Sequence, residues 1–192
     1  MTPVVVPFAG AGGKTRLDAP KRTRHELSLA MLADVLAAAA AVGEPVLVTG
    51  DPDGEALARE VGAAATADQG GGQGPAVQAA LADLPAGPVL VVNADLPCAV
   101  PADLRTLLAA IPEHGLALVE ALDGTTNALG LSAPAVFQPL YGRDSARRFL
   151  SLDVETVSVV VPNLAEDVDT LADLERLQLR CGPRTQASLA HA

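Results

Sequence analysis

Two carboxylates and one glycine-rich basic loop are the residues in this chain whose types and spacing could do chemistry. Asp95 stands directly after the apolar run Val89-Leu90-Val91-Val92 and ahead of Leu96-Pro97. A carboxylate just beyond the end of a buried strand can hold Mg2+ against phosphate oxygens, because that ion takes one or two carboxylates and leaves its other positions to substrate and water. The plain alternative is an Asp that caps a turn before the helix at Pro101. Asp167-Val168-Asp169-Thr170 opens the last helical pattern. Asp169 or Thr170 suffices to cap it, which leaves Asp167 as the candidate second metal carboxylate, with Asp169 the alternative. Near the start, Val4-Val5-Val6-Pro7-Phe8 empties into Ala9-Gly10-Ala11-Gly12-Gly13-Lys14-Thr15-Arg16-Leu17. Small residues let backbone N–H groups approach an anion, and Lys14 and Arg16 neutralise it. Gly10, Gly12, Gly13 and Lys14 therefore read as a phosphate cradle, against the bland alternative of a flexible loop with incidental charge.

Spacing narrows that cradle. A P-loop would need glycine at position 8, which is Phe8, and a dinucleotide fingerprint would need Gly or Ala at position 15, which is Thr15. Gly124-Thr125-Thr126-Asn127 and Gly142-Arg143-Asp144-Ser145 are small-residue turns with hydroxyls, weak signals for which turn chemistry is the default. His25, His114 and His191 have no partner pattern, so none reads as catalytic. Cys98 lies near the presumed site, where most cysteines only pack.

Composition limits the classes. With 192 residues the chain is long enough for one domain with a substantial core. Its formal net charge of −10 argues against general nucleic-acid binding, which needs a basic stripe. Lys14, Arg16, Lys21, Arg22 and Arg24 form the densest basic stretch, a local patch suited to one small polyanion. The two cysteines, Cys98 and Cys181, are far apart with no metal-binding spacing, so neither a disulfide framework nor a zinc site is indicated, and a reducing cytoplasm is expected. No signal peptide or membrane span is visible.

These residues need elements to position them. Short apolar runs at 4–8, 45–49, 88–92, 116–121, 127–131 and 156–161 read as strands, with a short strand at 63–65. Helical patterns cover 24–42, 53–61, 76–84, 101–111, 144–150 and 170–179. Residues 69–75 read as glycine-rich loop, and the tail from 181 onward as polar and loose. The domain is thus expected over 1–180 with a flexible tail over 181–192. Strand–helix alternation with continuous Val/Leu strands predicts an α/β fold, a mostly parallel sheet covered on both faces. Ligands gather beyond the carboxyl ends of such strands, so the basic loop and Asp95 should share one rim.

Taken together, the segments resemble the nucleotidyltransferases of the molybdopterin-guanylyltransferase-like superfamily. More closely, they resemble the guanylyltransferases of coenzyme F420 biosynthesis. The carriers are Val-Pro-Phe with Lys14-Thr15-Arg16-Leu17, the run from Glu26 to Val35, Asp95-Leu96-Pro97, Gly124 to Leu129, Tyr141 to Arg147, and Asp167-Val168-Asp169-Thr170 with Ala172-Asp173-Leu174. The resemblance implies a three-layer α/β/α Rossmann-like fold with a mixed sheet. It implies transfer of GMP from GTP to phosphoenolpyruvate or 2-phospho-L-lactate, with 3-phosphoglycerate a further acceptor. Phosphoenolpyruvate comes first, because the Ala-, Gly- and Arg-rich composition suggests a GC-rich bacterial source. Lys14, Arg16 and Asp95 would be catalytic. The Lys14/Arg16 loop would grip GTP, Asp95 and Asp167 would hold Mg2+, and Thr126, Gly142 and Ser145 would bind the phosphorylated acid. Two positions depart from the pattern. Ala9 stands where the family has lysine, and Val77-Gln78 stands for its Leu-Asn, which makes Gln78 the candidate nucleotide contact. The expected partners are GTP and a small phosphorylated carboxylic acid, with neither nucleic acid nor membrane, and with a homodimer allowed. The alternatives are a molybdenum-cofactor-type nucleotidyltransferase and a non-catalytic nucleotide-binding module.

Overall fold

Runs such as Val4-Val5-Val6 and Val89-Leu90-Val91-Val92 are apolar on both sides of a strand and need cover above and below. The computed structural model, which describes residues 1–10 and 17–190, supplies that cover. Its elements are β1 (Pro3–Phe8), α1 (Lys21–Ala40), β2 (Glu44–Thr49), α2 (Pro52–Glu60), β3 (Ala64–Ala67), α3 (Gln73–Ala82), β4 (Val89–Val92) and α4 (Pro101–Ala109). They continue with β5 (Gly115–Glu120), β6 (Thr126–Leu131), α5 (Ser145–Leu150), β7 (Glu155–Ser158), α6 (Pro162–Ala165), α7 (Leu171–Leu177) and α8 (Pro183–Leu189).

Among the described residues the strands form one seven-stranded sheet in the order β3-β2-β1-β4-β6-β5-β7. Only β6 runs against its neighbours, antiparallel to both β4 and β5, so the sheet is mixed and mostly parallel. Alternate side chains of each strand enter opposite layers. Val4, Val6, Leu90 and Val92 pack against α1 and α4 through Leu32, Val35, Leu36, Leu104 and Leu107. Val5, Val89, Val91 and Leu129 pack the other way, against Val77, Ala80 and Leu81 of α3 and Phe149 of α5. The three layers are those expected.

Several boundaries differ for local reasons. α3 begins at Gln73, inside the stretch read as glycine loop. Its Pro75 falls in the first turn, where a missing N–H costs nothing. The turn before it is made by Gly70, Gly71 and Gly72 at φ 83, 88 and 94, a region that favours glycine. β7 stops at Ser158, three residues short of expectation, and Pro162 then starts α6. α7 is capped by Thr170 and not by Asp169. Thr170 Oγ1 accepts from the Asp173 N–H at 3.2 Å, and the Asp173 carboxylate accepts from the Thr170 N–H at 2.9 Å, a reciprocal capping box.

The segment expected to be a loose tail carries α8, packed on α1, with Thr185 fully buried. The sequence around 183–189 has no apolar stripe to announce a helix. What holds it is remote: the Asp34 carboxylate of α1, 6% exposed, accepts from the backbone N–H groups of Arg184 at 3.1 Å and Thr185 at 2.9 Å. Asp34 thus caps a helix from another part of the chain, placing its charge at the positive end of the backbone dipoles. Replacing Asp34 by Ala should cost about 1–2 kcal/mol, the usual range for a lost cap. A drop in the urea midpoint with an unchanged transition slope would show it, and Asp34→Asn, which retains a capping oxygen, should lose less.

Candidate active site

Because β1, β2, β3 and β4 are parallel, their carboxyl ends open on one rim. The reversal of β6 brings its beginning, Thr126 and Asn127, to that same rim. Val92 pairs with Ala128, and the Asn93 N–H donates to the Asn127 carbonyl at 3.0 Å. A cavity of about 240 Å3 lies there, lined by Pro7, Phe8, Ala9, Gly10, Ser28, Met31, Val48, Asp68, Gly72, Gln73, Ala76, Asn93, Ala94 and Asp95. Gly10 has φ +66, and a Cβ on it would stand 2.3 Å from Asp51 Oδ2, so both conformation and space require glycine.

Beside the cavity the oxygens of Asp95, Asp167 and Asp169 lie within 4.8 Å of one another. Two backbone segments are tied to bring them together: the Val168 N–H donates to the Asp95 carbonyl at 3.0 Å. Asn127 Nδ2 donates to Asp167 Oδ1 at 3.2 Å. Asn127 is held in turn by Asn93, whose Nδ2 donates to Asn127 Oδ1 at 3.4 Å, and Gln73 Nε2 donates to Asn93 Oδ1 at 2.6 Å. A chain of three amides therefore runs from the cavity to the carboxylates. Burial, then the charge of Asp95, push the Asp167 carboxyl above the ordinary carboxylate range; the Asn127 hydrogen bond offsets part of that. Three oxygen donors of this kind, crowded and partly desolvated, suit a hard divalent cation such as Mg2+.

The expected site residues separate into groups. Asp95 and Asp167 do come together, joined by Asp169, the alternative ligand. Thr126 and Ser145 meet: Ser145 Oγ donates to Thr126 Oγ1 at 3.0 Å, with both residues buried. Gly142 is exposed, at φ 108, and its carbonyl accepts the Ser145 N–H at 3.0 Å. Gln78 is not brought to the cavity. It sits on the exposed side of α3, over a separate depression with Leu81, Leu84 and Phe137. Gln73, one helical face away, lines the cavity instead. Gly12, Gly13, Lys14 and Arg16 lie outside the described residues. His25 is apart from the carboxylates, with its Nε2 2.9 Å from Asp53 Oδ2, while Asp51 accepts from the Asp53 and Gly54 N–H groups as the cap of α2.

Gln73, Asn93 and Asn127 were not among the expected site residues. A signal existed for the two asparagines. Each abuts a continuous apolar strand, and a buried amide must find partners. Nothing comparable marked Gln73, whose segment reads as loop.

Comparison with known proteins agrees with this geometry. The model of the MobA-like NTP transferase domain matches residues 9–157. The phosphoenolpyruvate guanylyltransferase of Nocardia farcinica is 36% identical, over 92% of this chain and 84% of that protein. The enzyme of the same name from Streptomyces coelicolor is 37% identical, over 97% of this chain and 95% of its own length. Among solved structures, a nucleotidyl transferase from Methanothermobacter thermautotroptrophicus aligns with a TM-score of 0.68 at 15% identity, covering 100% of this chain and 99% of that one, a likeness of fold. Among the described residues no helix is long and apolar enough to cross a membrane.

The raised Asp167 pKa has a defined sign in stability. Between the unfolded value and the higher folded value the native state binds more protons, so the metal-free protein loses stability as pH rises through that window. Below the window both states are protonated and Asp167 contributes nothing to the slope. Asp167→Asn should remove this loss, making the metal-free variant more stable than the parent at neutral pH and equal to it in acid. Urea unfolding of both proteins in EDTA across a pH series reads the difference.

Proposed function

The chain belongs to the MobA-like NTP transferase family, and we propose that it is a cytoplasmic phosphoenolpyruvate guanylyltransferase of coenzyme F420 biosynthesis. It would move GMP from GTP to the phosphate of phosphoenolpyruvate and release pyrophosphate. The names of its relatives support the substrates. The observation that carries the chemistry is the carboxylate group of Asp95, Asp167 and Asp169 at the cavity rim.

In this reading a phosphate oxygen of the acceptor attacks the α-phosphorus of GTP in line. A P–O bond forms, and the bond to pyrophosphate breaks. The attacking phosphate is already anionic at neutral pH, so no general base is needed, in keeping with a histidine-poor site. The obstacle is repulsion between two anions. Asp95 and Asp167, with Asp169 beside them, would hold Mg2+, which when bound neutralises phosphate charge and stabilises the leaving group. Asn127 fixes the Asp167 carboxylate, as outer partners of metal ligands do. Lys14 and Arg16 add positive charge for the triphosphate, and the cavity edged by Gln73 and Asn93 takes the nucleoside. Thr126, Gly142 and Ser145 orient the acceptor without adding negative charge, and the Ser145–Thr126 hydrogen bond holds both hydroxyls in one orientation.

The decisive assay mixes the protein with GTP, Mg2+ and one phospho-acid at a time, and follows pyrophosphate. Release with phosphoenolpyruvate is expected. Release with 2-phospho-L-lactate or 3-phosphoglycerate alone would reassign the acceptor, and GTP binding without release for any acceptor would overturn the reading. Asp95→Ala should lower turnover by at least about a hundred-fold, the upper end of what losing an outer partner of a metal ligand costs. Asn127→Ala should lose roughly 10–100-fold, with a raised Mg2+ requirement. Near-normal turnover of Asp95→Ala would take that residue out of the mechanism.

A further inference from the structure

Cys98 and Cys181 are distant in sequence and adjacent in the fold. The Gly182 N–H donates to the Pro97 carbonyl at 2.7 Å, so the segments carrying the two thiols lie side by side. The two thiols bear on one another, Cys98 held below the ordinary thiol range by Cys181 and Cys181 pushed above it by Cys98. They sit in an apolar cluster with Leu17, Leu27, Met31, Val168, Leu174 and Leu177. This cluster underlies the site: Asp95 is three residues before Cys98, and Val168 bonds the Asp95 carbonyl.

We propose that Cys98 and Cys181 form a reversible disulfide when the protein meets a small peroxide, and that the bond ties the Asp95 loop to the segment entering α8. The neighbouring Cys181 thiol holds the Cys98 thiol below the ordinary thiol range; burial opposes it, and the Arg180 guanidinium helps it. Cys98 is therefore the attacking sulfur. Its thiolate attacks one peroxide oxygen, the O–O bond breaks, and sulfenic acid and hydroxide form. The Cys181 sulfur then attacks the Cys98 sulfur. The S–O bond breaks, and the hydroxyl leaves with the Cys181 proton as water. In sum two thiols are oxidised and one peroxide becomes two waters. Exposures of 1% for Cys98 and 4% for Cys181 exclude a bulky disulfide as oxidant, which leaves a peroxide, near water in size, as the reagent.

The test uses the full chain, treated with hydrogen peroxide, freed of excess oxidant by catalase, and digested without reductant. A peptide linking Cys98 to Cys181 is expected, together with loss of two hydrogen atoms from the intact mass and reversal by dithiothreitol. The thermal midpoint should rise on oxidation by roughly 5–10 °C, because the bond closes a long loop in the unfolded chain. Cys98→Ser and Cys181→Ser should each abolish both the linked peptide and the rise. Oxygen adducts without a link, or no reaction under conditions that fully oxidise free glutathione, would overturn the proposal. A linked protein with an unchanged midpoint would overturn the tether. None of these readouts depends on the substrates assigned above.

Discussion

Three carboxylates held within 4.8 Å repel one another, and the structure around them exists to impose that proximity. Asp167 retains its proton more tightly than a solvated Asp would, through burial first and the charge of Asp95 second. No local feature of the chain would gather Asp95 with Asp167 and Asp169. The force comes from elsewhere: a backbone hydrogen bond joins the two segments at Val168 and Asp95, and the apolar cluster around Val168, Leu174 and Leu177 anchors the later segment. A cation held there would offset that repulsion and so couple its binding to order at the rim.

The antiparallel strand β6 is the second device on which the site depends. Had it run parallel like its neighbours, Thr126 and Asn127 would open on the far edge of the sheet. Reversed, it delivers an amide beside Asp167 and a hydroxyl beside Ser145. The amides of Gln73, Asn93 and Asn127 then connect the cavity to the carboxylates, each donating to the next. Amides arranged this way, Asn127 buried and Gln73 and Asn93 half-buried, have little freedom to turn, since each rotation would strand a donor or an acceptor. The rigidity of the site is thus a consequence of hydrogen-bond satisfaction as much as of packing.

Much of this was legible before the fold was known. Strand–helix alternation and continuous Val/Leu runs gave the three layers, and the place of Asp95 after β4 marked the rim. The misreadings have physical causes. Gly70, Gly71 and Gly72 suggested a loop that reached Pro75, while the helix in fact begins at Gln73 because proline is harmless in a first turn. The expectation for Gln78 came from the family resemblance, while Gln73, at the true start of α3, lines the cavity. α8 was hidden because its cap is Asp34, far away in the chain.

The sequence by itself determined the class of fold and the strand-end rim that carries Asp95. Those follow from periodicity and from the residues at strand ends, which are local properties. Only the tertiary structure decided that Asp169 joins Asp167 while Thr170 takes the cap, that Asn127 orients the carboxylate, and that Cys98 meets Cys181. Each of these is a contact between distant segments, set by strand order and by packing of separate helices. Spacing along the chain holds no record of such contacts, because the chain distance between two residues does not limit how closely a folded sheet can bring them.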